Sequence, residues 1–226
     1  MPFTIDGVVP WGRTMAEYSG MFNLGERDLG GRILGCGDGP ASFNAEMSAR
    51  GYSVVSIDPL YAFSGEAIER RVEETYDIIV EQLARNMDDF VWTYVPSLPA
   101  LGERRMWAMR KFLDDFGLGL REGRYLDASL PDLPFEDDSF DLALSSHFLF
   151  LYSEEFDLAF HVRALEEMLR VAPEARVFPL LQVGGAPSPH IEGVMNAFTA
   201  RDFQARIEEV PYEFQRGGNR MLRLRR

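Results

Sequence analysis

The chain has 226 residues and carries 36 acidic against 23 basic side chains, a formal net charge of −13. Clustered Lys and Arg carry phosphate recognition, so this balance excludes nucleic acid as the default partner. With 46% hydrophobic and 26% charged residues it suits a folded globular domain. No apolar run reaches the ~20 residues that span a bilayer, and the lone Cys36 leaves no intrachain disulfide. The start, MPFTIDGVVPWGR, has no basic segment followed by an apolar one, so the expectation is a cytoplasmic protein with no membrane partner.

Residues 1–29 read as a polar-aromatic N-terminal capping segment, with a short amphipathic helix inside WGRTMAEYSGMFNL. Arg32-Ile33-Leu34 opens a strand that runs into the Gly-rich GCGDG at 35–39. Phe43 and Met47, four apart, predict a helix over 41–50, stopped by Gly51. YSVVSID at 52–58 is a β-branched strand ending in Asp58. The next strand comes only at Arg124-Tyr125-Leu126, so 59–123 reads as a helical insertion. Its helices fall at 64–90 and 101–117, parted by the Pro-bracketed VPSLP. There follow a strand at 140–146, a helix at 153–171, a strand at 176–181, the loop GGAPSPH and a helix at 190–203. The closing strands, 205–213 and 219–225, are joined by QRGGN, too short for a crossover, and must be antiparallel. Strands alternating with helices imply an α/β fold. The expected object is a doubly wound, mostly parallel seven-stranded sheet with an antiparallel C-terminal strand pair and a helical insertion, all within one domain.

A Gly-rich turn between a strand and a helix lets a ligand approach the backbone, because no Cβ stands in the way. An acidic residue ending the next strand can accept both hydroxyls of a ribose. GCGDG followed by Asp58 supplies both parts at plausible spacing. ILGCGDGPASF, VVSID, LPFEDDSFDLALSSHFLFLY and HVRALEEMLRVAPEARVFPLL together resemble the class I S-adenosylmethionine-dependent methyltransferases that act on small molecules. The resemblance covers about 30–60 and 124–225. It implies S-adenosyl-L-methionine as cofactor and a small-molecule methyl acceptor as partner. It also implies cofactor contacts from Gly35, Gly37, Asp38, Gly39, Asp58, Pro59, Ser129, Ser145 and Arg13.

Two positions depart from the family's pattern. Counting back from Asp58 puts its first acidic position, which meets the methionine amino group, at Gly35. Gly37 and Gly39 are then its first two glycines and Ala41 replaces the third. Pairing GCGDG directly with the family's GxGxG would put Ile33 in the acidic position instead. In either register the acid is missing, although Asp38 is near in sequence. The residue that reads the adenine amino group falls on Ser129, with Asp127 two residues early.

His147 follows the fourth strand, at the edge where open α/β sheets bind ligands. It reads either as a general base for the acceptor or as a packed strand-end histidine. His161 and His190 read as surface or loop residues. Arg13, five residues before Tyr18, suits either a charge-assisted bond to the cofactor carboxylate or a surface position. In the insertion Phe90, Trp92, Tyr94, Trp107, Phe112 and Phe116 read as packing, or as a lid over an apolar substrate pocket. No spaced metal-ligand set is present. Two rival functions stay open. A non-catalytic nucleoside-binding or partner-binding protein with this fold fits the missing acids. A nicotinamide dinucleotide enzyme fits Gly37, Gly39 and Asp58, but Ser42 in its third Gly position and the antiparallel ending weigh against it. No feature specifies the acceptor atom or an oligomeric state.

Overall fold

A computed structural model describes residues 11–226. The first ten residues of the expected N-terminal capping segment lie outside the described residues. Along the chain run α1 (Met15–Met21), α2 (Glu26–Leu29), β1 (Arg32–Cys36), α3 (Phe43–Ala49), β2 (Ser53–Ile57), α4 (Gly65–Arg85), α5 (Leu98–Arg121) and β3 (Tyr125–Leu126). Then come β4 (Leu142–Ser146), α6 (Leu158–Val171), β5 (Glu174–Phe178), α7 (Ile191–Thr199), β6 (Gln204–Glu209) and β7 (Arg220–Arg225). The sheet order is β3-β2-β1-β4-β5-β7-β6. The pairs from β3 to β5 are parallel, and β7 runs antiparallel to both β5 and β6. This is the seven-stranded sheet with an antiparallel C-terminal pair that the sequence pattern predicts.

Alternation along β1 explains the layering. Ile33 and Leu34 point to opposite faces, and each enters a different apolar cluster. Ile33 packs with Val54, Leu144 and the α1 and α3 side chains Tyr18, Phe43 and Met47. Leu34 packs with Ala143, Val177 and the α6 side chains Leu165 and Met168. The inner strands β4 and β5 are buried along their whole length, as parallel strands covered on both faces must be. Among the described residues no helix is long and apolar enough to cross a membrane.

Several boundaries differ from expectation because a cap decides them. The α6 helix starts at Leu158, since Asp157 accepts the Phe160 N–H at 2.7 Å; residues 153–156 precede it as turns. The α5 helix starts inside VPSLP, because Ser97 caps it and Pro99 sits in the first turn, where no N–H is needed. His161 is not a surface residue. It lies fully buried on α6 against the ring of Phe150, with the half-buried His190 beside it. On the closing strand, Arg223 and Arg225 converge with Arg176 on one acidic neighbour, Glu174.

One buried ion pair joins the N-terminal segment to the insertion. Arg105 of α5 and Glu17 of α1 are both excluded from water, with Nη2 and Oε1 2.7 Å apart. The same carboxylate accepts the Thr14 N–H at 2.9 Å and the Tyr212 hydroxyl at 3.2 Å. Burial alone would push the Glu17 carboxyl up, but Arg105 and the Thr14 N–H outweigh it and hold the pKa at about 2. An acid whose folded pKa lies below its unfolded value stabilises the fold above the unfolded value and loses that contribution as pH falls. The Glu17 contribution should therefore be complete above the ordinary 4.5 and vanish towards pH 2. Arg105→Leu leaves a buried carboxylate without its cation and should cost about 3–5 kcal/mol. Urea unfolding at neutral pH checks this, and a loss below about 1 kcal/mol would contradict the clamp.

Candidate functional site

A cleft of about 610 Å³ opens at the carboxyl ends of β1, β2 and β4, where this class of sheet binds ligands. After Cys36 the chain turns through Gly37 (φ +71°) and Gly39 (φ +53°), a backbone region that suits glycine. A Cβ on Gly37 would come within 3.0 Å of the Phe148 ring, so glycine there also admits the loop after β4. Asp58, at the end of β2, accepts the N–H of Gly39 and that of Leu60, each at 2.8 Å. Burial raises its pKa against those two donors. The Gly-rich turn is thus tied to the neighbouring strand end through one carboxylate that also lines the cleft.

Asp38 turns back over Gly35. Its Oδ1 accepts the Tyr18 hydroxyl at 2.7 Å and its Oδ2 accepts the Ser56 hydroxyl at 2.6 Å. A Cβ built on Gly35 would fall on the Asp38 carboxylate, so that carboxylate fills the space a side chain at 35 would use. Burial raises its pKa to about 6, with its two hydroxyl donors pulling the other way.

His147 also lies on the cleft, directly after β4, with a backbone φ of +53°. That region is strained for a non-glycine residue. Its N–H donates to the Phe178 carbonyl at 2.6 Å, and its Nδ1 is 2.9 Å from Ser146 Oγ. Burial lowers the ring pKa well below its ordinary value, and the nearby Arg13 and Arg105 lower it further. The ring is therefore neutral at pH 7. Arg13 faces the same cleft; burial and then Arg105 bring its pKa down to about 10. One Nη donates to the Trp11 carbonyl at 3.1 Å, while the buried Nε has no hydrogen-bond partner among the described residues.

Of the residues implied by the sequence, Arg13, Gly37, Asp38, Gly39, Asp58, Pro59, Ser129 and His147 line the cleft. Gly35 and Ser145 do not. Gly35 lies beneath Asp38, and Ser145 is fully buried in β4 with its hydroxyl unpartnered among the described residues. Of the two readings of the insertion's aromatics, packing is the one that applies. None of Phe90, Trp92, Tyr94, Trp107, Phe112 and Phe116 lines the cleft; the insertion contributes Pro59, Leu60, Phe63 and one face of α4. Phe112 and Phe116 pack with Tyr61 and Tyr125 in an aromatic core of their own. Sequence reasoning missed Tyr18 and Ser146, whose hydroxyls gain a role only when α1 and the end of β4 meet Asp38 and His147.

The uncharacterized protein MJ0045 of Methanocaldococcus jannaschii is 33% identical to the chain over 217 residues, covering 95% of each. The chain belongs to the MJ0045 family. The sheet order and antiparallel ending of this MJ0045-family chain are those the sequence pattern predicts. No family model matches it. Similar solved structures include a SAM-dependent methyltransferase from Aquifex aeolicus, 16% identical over 86% of this chain and 80% of that one, with a TM-score of 0.41. Magnesium protoporphyrin IX methyltransferase from Synechocystis, solved with bound SAM, is 10% identical over 89% and 73%, with a TM-score of 0.47. The 1,6-didemethyltoxoflavin-N1-methyltransferase of Burkholderia thailandensis, solved with bound 1,6-didemethyltoxoflavin and S-adenosylhomocysteine, is 12% identical over 87% and 71%, with a TM-score of 0.44.

The His147 environment in this MJ0045-family chain makes a direct prediction. A histidine whose folded pKa is depressed gives up stability as pH falls below its unfolded value, because the unfolded chain binds the proton first. The His147 ring resonances should therefore stay at their neutral positions from pH 8 down to about 6 in an NMR titration. A midpoint near 6.5 would contradict the burial and the Arg13 neighbour.

Proposed function

We propose that the chain is an S-adenosylmethionine-dependent methyltransferase acting on a small molecule. One observation carries this reading: Asp38, Asp58 and the half-buried cation Arg13 line a single cleft around the Gly37–Gly39 turn. The set matches, group for group, an amino acid's ammonium, a ribose diol and an amino acid's carboxylate. The Arg13 Nε has no hydrogen-bond partner among the described residues, so the guanidinium is not fully engaged within the protein. Asp38 takes the part of the acid missing at Gly35, and Ser129 lines the cleft where the resemblance puts the adenine. When bound, the cofactor supplies an electrophilic methyl group, so the protein's task is position and exclusion of water.

His147 is the base in this reading. Its neutral ring can take the proton of an acceptor O–H or N–H if Nε2 carries the free lone pair. That requires Nδ1–H to donate to Ser146 Oγ. The Ser146 hydroxyl supports this orientation: it directs its one hydrogen at Met21 Sδ, 3.9 Å away, which leaves its oxygen to accept from Nδ1 at 2.9 Å. Ser146 is then a positioning residue for the base.

Two measurements test these assignments. Calorimetric titration with S-adenosylhomocysteine should show saturable binding, and Asp58→Ala should weaken it about 10- to 100-fold, the worth of a charged hydrogen bond. Because ionised Asp38 is the form that holds an ammonium, affinity should fall as pH drops through about 6, and Asp38→Asn should flatten that dependence. Failure of the wild-type protein to bind would leave the non-catalytic reading in place. Nitrogen-15 NMR of the His147 ring should show the Nδ1–H tautomer, and Ser146→Ala should shift the population towards Nε2–H. An Nε2–H ring in the wild-type protein would remove the base.

A further inference from the structure

Once the cofactor reading assigns Arg13, Asp38, Asp58, His147 and Ser129, one wall of the cleft has no occupant. It comes from the insertion. Ala67, Arg70, Arg71 and Glu74 recur at helical spacing, so they share one face of α4, and that face lines the cleft. The Arg71 guanidinium reaches Glu74 at 3.6 Å, with both side chains about half exposed. Arg70 makes no ion pair or hydrogen bond among the described residues. The wall therefore presents net positive charge in a protein of net charge −13. Around it the surface is apolar: Ile68 and Phe63 on the insertion side, Phe148 and Tyr152 on the loop after β4. Phe63 is 59% exposed, a large apolar ring held at the mouth.

An apolar channel with a cationic wall selects for one kind of molecule. A neutral amphiphile would leave the Arg70 guanidinium without a partner, Arg71 already having Glu74. A cation would meet them as like charges. An anion, by contrast, would have to approach a negatively charged protein and would need a local cationic site to hold it. We propose that the methyl acceptor is an apolar, ring-sized molecule carrying an anionic group. The anion is held by Arg70 and Arg71, and the reacting atom is turned inward towards His147. This rests on the methyltransferase reading for the direction in which the molecule lies, but the anion site itself does not require it. A carboxylate and a phosphate share the chemistry that the two arginines recognise.

The test uses the full chain saturated with S-adenosylhomocysteine. Benzoate, cinnamate, naphthoate and indoleacetate are titrated by calorimetry, each beside its own neutral carboxamide, and the matching phenyl and naphthyl phosphates form a second arm. At least one anion should bind roughly tenfold more tightly than its neutral counterpart. Arg70→Ala/Arg71→Ala should reduce that preference to within about twofold, while Arg70→Lys/Arg71→Lys should retain part of it. Unaltered S-adenosylhomocysteine affinity shows that the variants are folded. Preference for carboxylates or for phosphates identifies the anion. No anion preference in the wild-type protein, including no binding of any anion in the panel, overturns the proposal, as does a preference that survives the alanine substitutions. Repeating the titrations without S-adenosylhomocysteine separates the two readings. Arginine-dependent anion binding in a protein that does not bind S-adenosylhomocysteine would sink the cofactor assignment and leave the anion site standing.

Discussion

A carboxylate and a guanidinium removed from water need partners, and Glu17 and Arg105 draw theirs from three separate stretches of chain, leaving the Arg105 Nε without one among the described residues. Glu17 takes donors from its own helix cap, from α5 and from Tyr212 in the segment between β6 and β7. Arg105 also donates to the Gly12 carbonyl, and Gly12 packs so closely on the Pro40 carbonyl that no side chain fits between them. Between Gly12 and the capped helix sits Arg13, whose carbonyl accepts the Ser42 N–H at 3.0 Å. The N-terminal segment is thereby pinned onto the Gly-rich turn, and Arg13 is presented to the cleft by its neighbours. A buried pair of this kind contributes little net stability compared with an apolar substitute. Its value here is placement.

The opposite side of the cleft is set by the sheet. β4 and β5 are buried throughout, and His147 is the first residue past β4, held to the end of β5 by its bond to Phe178. The left-handed conformation at His147 costs on the order of 1–3 kcal/mol, which rigid strands on either side can sustain. The conformation turns the chain sharply, so that Phe148 reaches across to Gly37 while His147 stays at the floor. Rigid placement of one imidazole and one ring follows from the same dihedral angle.

The fold was legible because its signals are local and periodic. The apolar strands, the Gly-rich turn, Asp58 and the short QRGGN connection each carry their meaning within a few residues. Helix ends were less legible, since one side chain such as Asp157 or Ser97 decides where α6 or α5 begins. The cleft was legible where it comes from strand ends and turns. It was not legible where it depends on direction: whether Asp38 points back over Gly35, or which face of α4 turns inward. Aromatic content left packing and a lid both open, because only direction decides between them: Phe112 and Phe116 satisfy each other and Tyr125 in a core away from the cleft. His161 was misread for a related reason. A histidine with both ring nitrogens near carbonyls at 2.8 and 3.0 Å is a buried residue in disguise, and no pattern in the surrounding sequence marks those carbonyls.

The Asp38 carboxylate over Gly35 has a consequence for how such a site can change over generations. A side chain at position 35 and the carboxylate from position 38 claim the same volume, so the two positions behave as a single locus. An acid introduced at 35 alone would collide with Asp38, and removing Asp38 alone would leave Tyr18 and Ser56 without their shared acceptor. Each single step is a loss, and only the exchange of both restores a carboxylate in that space, the signature of strongly non-additive neighbours. Any change of carboxylate position in this turn must therefore be made at both residues together.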